Sequence, residues 1–125
     1  MQESWKVPFT IASSARVLYG LGCILAPQHV AGRVAPTVRG ADSRMNLRGF
    51  GGAQSGIALY TLATARTREG ARSALLLNAL VDGFDAIVST LEIRDRGGVD
   101  AVAAGGVAVN VLGLACWTTA ALALR

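Results

Sequence analysis

The stretch AVAAGGVAVNVLGLACWTTAALAL, residues 101–124, runs for 24 positions without a lysine, arginine, histidine, aspartate or glutamate. A helix crossing a hydrocarbon slab about 30 Å thick needs about 20 mostly apolar residues, and this run supplies them. A helix on the surface of a soluble bundle would carry a charged or polar stripe facing water. No face of this run has a charged one. It therefore reads as a membrane-spanning helix, and the rest of the chain is read outward from it.

Three further apolar runs precede it. Ser73 to Leu91 is interrupted only by Asp82 and Asp85, Gly49 to Ala65 carries no charge, and Pro8 to Pro27 is interrupted only by Arg16. Apart from Glu3, Lys6 and Arg125 near the ends, the other charges gather in 33–48, 66–72 and 92–100, between the runs. Charged residues make up 16% of the 125 positions, against roughly 25% in an ordinary soluble domain. The expected fold is all-α: a single domain, 1–125, forming an integral membrane four-helix bundle with up-down-up-down topology. Its helices are expected at about 8–27, 48–66, 72–92 and 100–124. Arg16 breaks the first apolar run and no basic segment precedes a short apolar one, so the first helix does not read as a cleavable signal peptide.

The connections RTREGAR (66–72) and EIRDRGGVD (92–100) are short, which makes successive helices antiparallel neighbours. PQHVAGRVAPTVRGADSRMNLR (27–48) is the longest connection and reads as a solvated basic loop in which His29 is an ordinary loop residue. One side of the bundle then holds Lys6, Arg66, Arg68, Arg72 and Arg125. The other holds Arg33, Arg39, Arg44, Arg48, Arg94 and Arg96. Five against six does not orient the chain by the positive-inside rule. The reading adopted is a cell inner membrane with both termini cytoplasmic. Trp5, Tyr60 and Trp117 fall near the terminal-side interface as a partial aromatic belt. Cys23 and Cys116 differ in depth by roughly 10 Å at about 1.5 Å per residue, more than the ~7 Å a disulfide tolerates, and read as small packing residues.

The aspartates sit in a pattern. On a helix Asn78, Asp82, Asp85 and Ser89 share one face at i, i+4, i+7 and i+11, while Leu76, Leu77, Leu80, Phe84, Ile87, Val88 and Leu91 cover the remainder. A charge pointing into lipid costs several kcal/mol, so the polar face turns into the bundle. Matching stripes run along the other helices. Ser13, Arg16, Gly20, Cys23 and Pro27 line the first, and Arg48, Gly52, Ser55 and Gly56 the second, with Gly52 and Gly56 forming a GxxxG pair for close helix approach. Ala103, Gly106, Asn110 and Gly113 line the fourth. If the first and third helices start at one surface, Arg16 lies about 12 Å in and Asp82 about 15 Å. Arg16 is then expected to pair with Asp82, and Arg48 with Asp85.

Nine strongly apolar residues at about −0.5 kcal/mol each barely offset two aspartates at up to about +3 kcal/mol each for insertion of the third helix. Buried ion pairs rarely add net stability. A chain that keeps these charges is expected to use them. Asp82 and Asp85 are the candidate acid-base residues; Arg16, Arg48, Gln54, Asn78, Ser89 and Asn110 are the candidate ligand-binding residues.

Three segments, SSARVLYGLGCILAP (13–27), RGFGGAQSGIALYTL (48–62) and NALVDGFDAI (78–87), resemble the small four-helix integral membrane proteins related to the DoxX-like group. The resemblance covers roughly residues 9–92 and rests on Arg48 before the glycine-rich start Gly49, Gly51, Gly52 and on the third-helix aspartates. It implies a four-helix membrane fold; some DoxX-like members are subunits of membrane oxidoreductases. Where that group often has an acidic residue after the glycine turn, this chain has Gln54, which weakens an acid-base role there.

The function expected is binding of the polar part of a lipid-like or quinone-like molecule by the Arg/Asp cluster. Two alternatives stand beside it: an intramembrane acid-base enzyme of isomerase, cyclase or epoxide hydrolase type using Asp82 and Asp85, and an accessory subunit of a larger membrane complex. The expected partners are the lipid bilayer, an apolar small molecule, and a second copy or larger complex. The net charge of +4 sits on loops facing headgroups and does not point to nucleic acid. No nucleophile triad, phosphate loop, haem ligand pair or metal-ligand cluster is legible, so neither a metal nor a cofactor is expected.

Overall fold

The computed structural model describes residues 6–34, 41–99 and 101–124. Its elements are α1 (Lys6–Leu25), α2 (Pro27–Val34), α3 (Ala41–Thr64), α4 (Arg68–Arg96) and α5 (Ala101–Ala123). The all-α class is thus what the chain adopts. Three stretches are long and apolar enough to cross a membrane: Lys6–Leu25, Arg68–Asp95 and Ala104–Ala123. The sequence reading counted a fourth span in α3. At 24 residues, about 36 Å at the helical rise, α3 is long enough, but it opens on ADSRMNLR and is too polar to qualify with the other three.

Several of the expected helix ends shift for identifiable reasons. Pro27 has no N–H to donate and its ring clashes with the carbonyl four residues back, so α1 stops at Leu25. The Ala26 amide still reaches Gly22 O at 2.9 Å, and Ala26 O accepts from the amides of His29 and Val30 at 3.0 and 3.2 Å. Ala26 therefore closes one helix and starts the next. Pro27 takes the first position of α2, where its fixed φ suits a helix start. The segment read as a 27–48 loop holds α2 and the first turns of α3.

Thr67 caps α4, its side chain accepting from the Gly70 amide at 3.0 Å, with Glu69 in the first turn. This is the arrangement that satisfies orphan amides and suits the positive helix end. Gly97, at φ 68°, ends α4 by returning its amide to Arg94 O at 3.1 Å, the left-handed stop that glycine adopts without a Cβ penalty. Apolar runs mark where hydrocarbon begins and ends. The backbone ladder continues past them into the charged segments, so α4 runs from 68 to 96 rather than from 72 to 92.

The chain divides into two compact units, Met1–Ala65 and Arg66–Arg125. In the first, α1 and α3 pack antiparallel. The α1 stripe read from the sequence faces inward: Ser13, Gly20, Cys23 and Pro27 are buried and Arg16 is partly buried, with Phe9 extending the line. Of the α3 stripe, Ser55 faces inward, but Arg48, Gly52 and Gly56 are exposed, and the buried line is Gly51, Gln54, Ser55, Ala58 and Thr61. A Cβ on Gly51 would lie 2.5 Å from Gly20 O and 2.7 Å from Cys23 Cβ, and one on Gly20 would lie 2.6 Å from Gly51 O. The two backbones thus touch at Gly20 and Gly51. Cβ atoms at Gly52 and Gly56 would meet nothing within 4 Å, so the Gly52–Gly56 pair is not the packing motif of this unit.

In the second unit α4 and α5 are antiparallel. Ala71, Ala74, Leu75, Asn78, Ala79 and Asp82 are buried on α4, and Ala121 on α5. Leu76, Leu80, Phe84, Ile87, Val88 and Leu91 are exposed, on the side the sequence reading assigned to lipid.

Candidate functional site

Arg16 lies in the middle of α1, about 15 Å from Lys6 along the helix at 1.5 Å per residue. Its Nε donates to Gln54 Oε1 on α3. Both stand on the buried seam, and the turn-by-turn alternation that puts Ser13, Arg16 and Gly20 on one face also aims Arg16 there. Gln54 supplies an acceptor and no charge, so Arg16 meets a neutral side chain here. Next to Gln54, the Ser55 hydroxyl is buried against Gly20 and has no hydrogen-bond partner among the described residues. Serine and threonine in a helix commonly bond back to the i−4 carbonyl, as Thr61 does to Ile57 O at 2.7 Å.

Arg48 takes a different part. It is exposed, and its Nε donates to Ile24 O at 3.1 Å. The last carbonyls of a helix lack internal partners and carry partial negative charge, so Arg48 closes the end of α1 that Pro27 cuts off. Arg68 does the same for α5, donating from Nε to Leu124 O at 3.1 Å.

On α4 the expected polar face turns inward. Asn78 and Asp82 are 2% and 7% exposed, and Asp85 and Ser89 are partly buried. Asp82 lies fourteen residues from each end of the 29-residue helix. Asn78 Nδ2 donates to Ala74 O at 2.8 Å. Asp82 Oδ2 accepts from Trp117 Nε1 on α5 at 2.7 Å, a short charge-assisted contact for a carboxylate. A Cβ on Gly113 would fall onto the Asp82 carboxylate, which would have to move to admit it. Nearer the other end, a Cβ on Gly106 would lie 3.7 Å from Ser89 Oγ, and Asn110 lies between Gly106 and Gly113 on the same partly buried line.

Trp117 is the site residue that sequence reasoning assigned elsewhere, to an interfacial belt. The signal was present: the α5 stripe of Gly106, Asn110 and Gly113 reaches Trp117 four residues further on, and Ala121 four beyond that. The Arg16–Asp82 and Arg48–Asp85 pairs expected from the sequence join residues of different units. Within their own units Arg16 meets Gln54, Arg48 meets Ile24 O and Asp82 meets Trp117. Both cysteines are free; Cys23 is buried as a packing residue should be, whereas Cys116 is exposed. Among the described residues no group of three His, Cys, Asp or Glu side chains could hold a metal ion. Comparison with protein-family models, with curated proteins and with solved structures returns no match.

Proposed function

We propose that this chain is a small polytopic membrane protein that binds the polar part of a lipid-like or quinone-like molecule. The observation that carries the reading is Asp82, buried at the midpoint of a candidate span and held by an indole N–H. A carboxylate at that depth opposes insertion by up to about 3 kcal/mol, and an aliphatic residue there would serve packing better. Polar side chains kept at membrane depth against such a cost mark ligand or ion sites by default. Arg16 and Gln54 on the α1–α3 pair are a second, part-buried polar system. The resemblance to the DoxX-like group agrees with a small helical membrane protein and leaves the ligand open.

Mass spectrometry of the protein extracted in mild detergent tests the proposal. A stoichiometric small molecule is expected with the parent and is expected to be lost in Asp82→Asn and Arg16→Gln. A clean parent spectrum defeats the binding reading and favours the accessory-subunit alternative.

The proposed topology adds α3 as a fourth crossing to the three apolar helices, in an inner membrane with both termini cytoplasmic. The protein is then expected to require detergent for extraction and to give a helical circular dichroism spectrum. Reporter fusions at residues 1 and 125 are expected to respond on the same side. Opposite sides would mean that α3 does not cross.

A further inference from the structure

We infer that Trp117 is a positioning residue of this site, fixing the rotamer in which Asp82 presents its carboxylate; the inference rests on the proposed role of Asp82. An indole nitrogen only donates, so the 2.7 Å contact with Oδ2 makes that oxygen an acceptor facing α5. Gly113 lies one turn before Trp117 on the same face, and the space its missing Cβ leaves is filled by the Asp82 carboxylate. Asp82 thus sits in a notch with backbone at one wall and a large ring at the other. The first wall is α5 backbone and cannot rotate away. The notch is in the middle of α4, with Asn78 and Asp85 on the same face one turn before and after. The Trp117 hydrogen bond favours the rotamer that turns Oδ2 toward α5. Whatever engages Asp82 therefore meets it in the orientation that Trp117 sets.

The test uses the full chain in detergent with Trp5→Phe, which leaves Trp117 as the one tryptophan of two. Ultraviolet resonance Raman of the indole N–H mode is expected to report a hydrogen-bonded indole. Asp82→Asn, which keeps a side-chain oxygen, should weaken the bonded signature, and Asp82→Leu should abolish it. Dicyclohexylcarbodiimide, an apolar reagent for buried carboxyl groups, then probes position, with the labelled residue identified by peptide mapping. Trp117→Phe keeps the ring and removes the N–H. It is expected to change the labelling rate of Asp82 at least fivefold while shifting Tm by no more than a few degrees.

An unbonded indole in the Trp5→Phe protein, or equal labelling rates with and without the Trp117 N–H, overturns the inference. If Trp117→Phe does not fold, the Raman comparison of Trp5→Phe with its Asp82→Asn derivative decides alone. If no small molecule accompanies the parent while the Raman signature is bonded, the binding reading fails and the positioning of Asp82 by Trp117 stands.

Discussion

Gly51→Ala is expected to destabilise the α1–α3 pair by about 2 kcal/mol, within the range for forcing extra atoms into a packed interface. Gly52→Ala, one residue along, is expected to leave it unchanged or to stabilise it by up to about 1 kcal/mol, the helix-propensity gain of alanine over glycine. The two substitutions add the same methyl group to adjacent residues of one helix. What differs is where it points. At Gly51 the methyl carbon lands 2.5 Å from a backbone oxygen, that of Gly20. A backbone atom cannot rotate away as a side chain can, so the helices must separate. At Gly52 the methyl enters open space, and Gly56→Ala should behave like Gly52→Ala. Thermal unfolding of the purified variants in one detergent, followed by circular dichroism, reads the difference. Equal Tm changes for Gly51→Ala and Gly52→Ala would show that α3 does not meet α1 through Gly51.

That contrast also marks how far the sequence could be read. Glycines at 49, 51 and 52 stand almost side by side, and rotating α3 by one residue turns a different one toward α1. Hydrophobicity cannot choose between them, since none has a side chain. The choice is made by the partner, where Gly20 and Cys23 leave room for a backbone at Gly51. On α4 the opposite holds. Asn78, Asp82, Asp85 and Ser89 stand out against leucine, isoleucine and phenylalanine, so their common inward face was legible in full. On α5 the small-residue stripe was legible, but its continuation to Trp117 was hidden because tryptophan also suits a membrane interface. Arg48 and Arg68 show another limit. Their charges were counted as facing headgroups, yet each donates to the last carbonyls of the neighbouring helix, a role that depends on where that helix stops. For α1 the stop is Pro27, and the residues after it have enough helical character to begin α2 where a loop was expected.

Asp82→Asn carries the other large expected effect. Asparagine has nearly the shape of aspartate and keeps an oxygen for the Trp117 N–H, so the packing around Gly113 is retained and the charge is what changes. Breaking a truly buried ion pair by removing one partner costs roughly 3–5 kcal/mol, because the remaining charge is left uncompensated in an apolar interior. Arg16 is the cation that the sequence reading pairs with Asp82; within its own unit Arg16 donates to Gln54, and Asp82 accepts from Trp117. Coupling of the two charges is therefore a proposal that a double-mutant cycle can measure. Asp82→Asn and Arg16→Gln are each expected to lower Tm in detergent, and the double variant to regain part of the loss. A ligand-binding role adds a second expectation: the double variant recovers stability while the co-purified molecule stays absent. A purely structural network would recover both. If neither single substitution changes Tm, the charges of Arg16 and Asp82 are not coupled, and what Asp82 contributes lies within the α4–α5 pair, with Trp117.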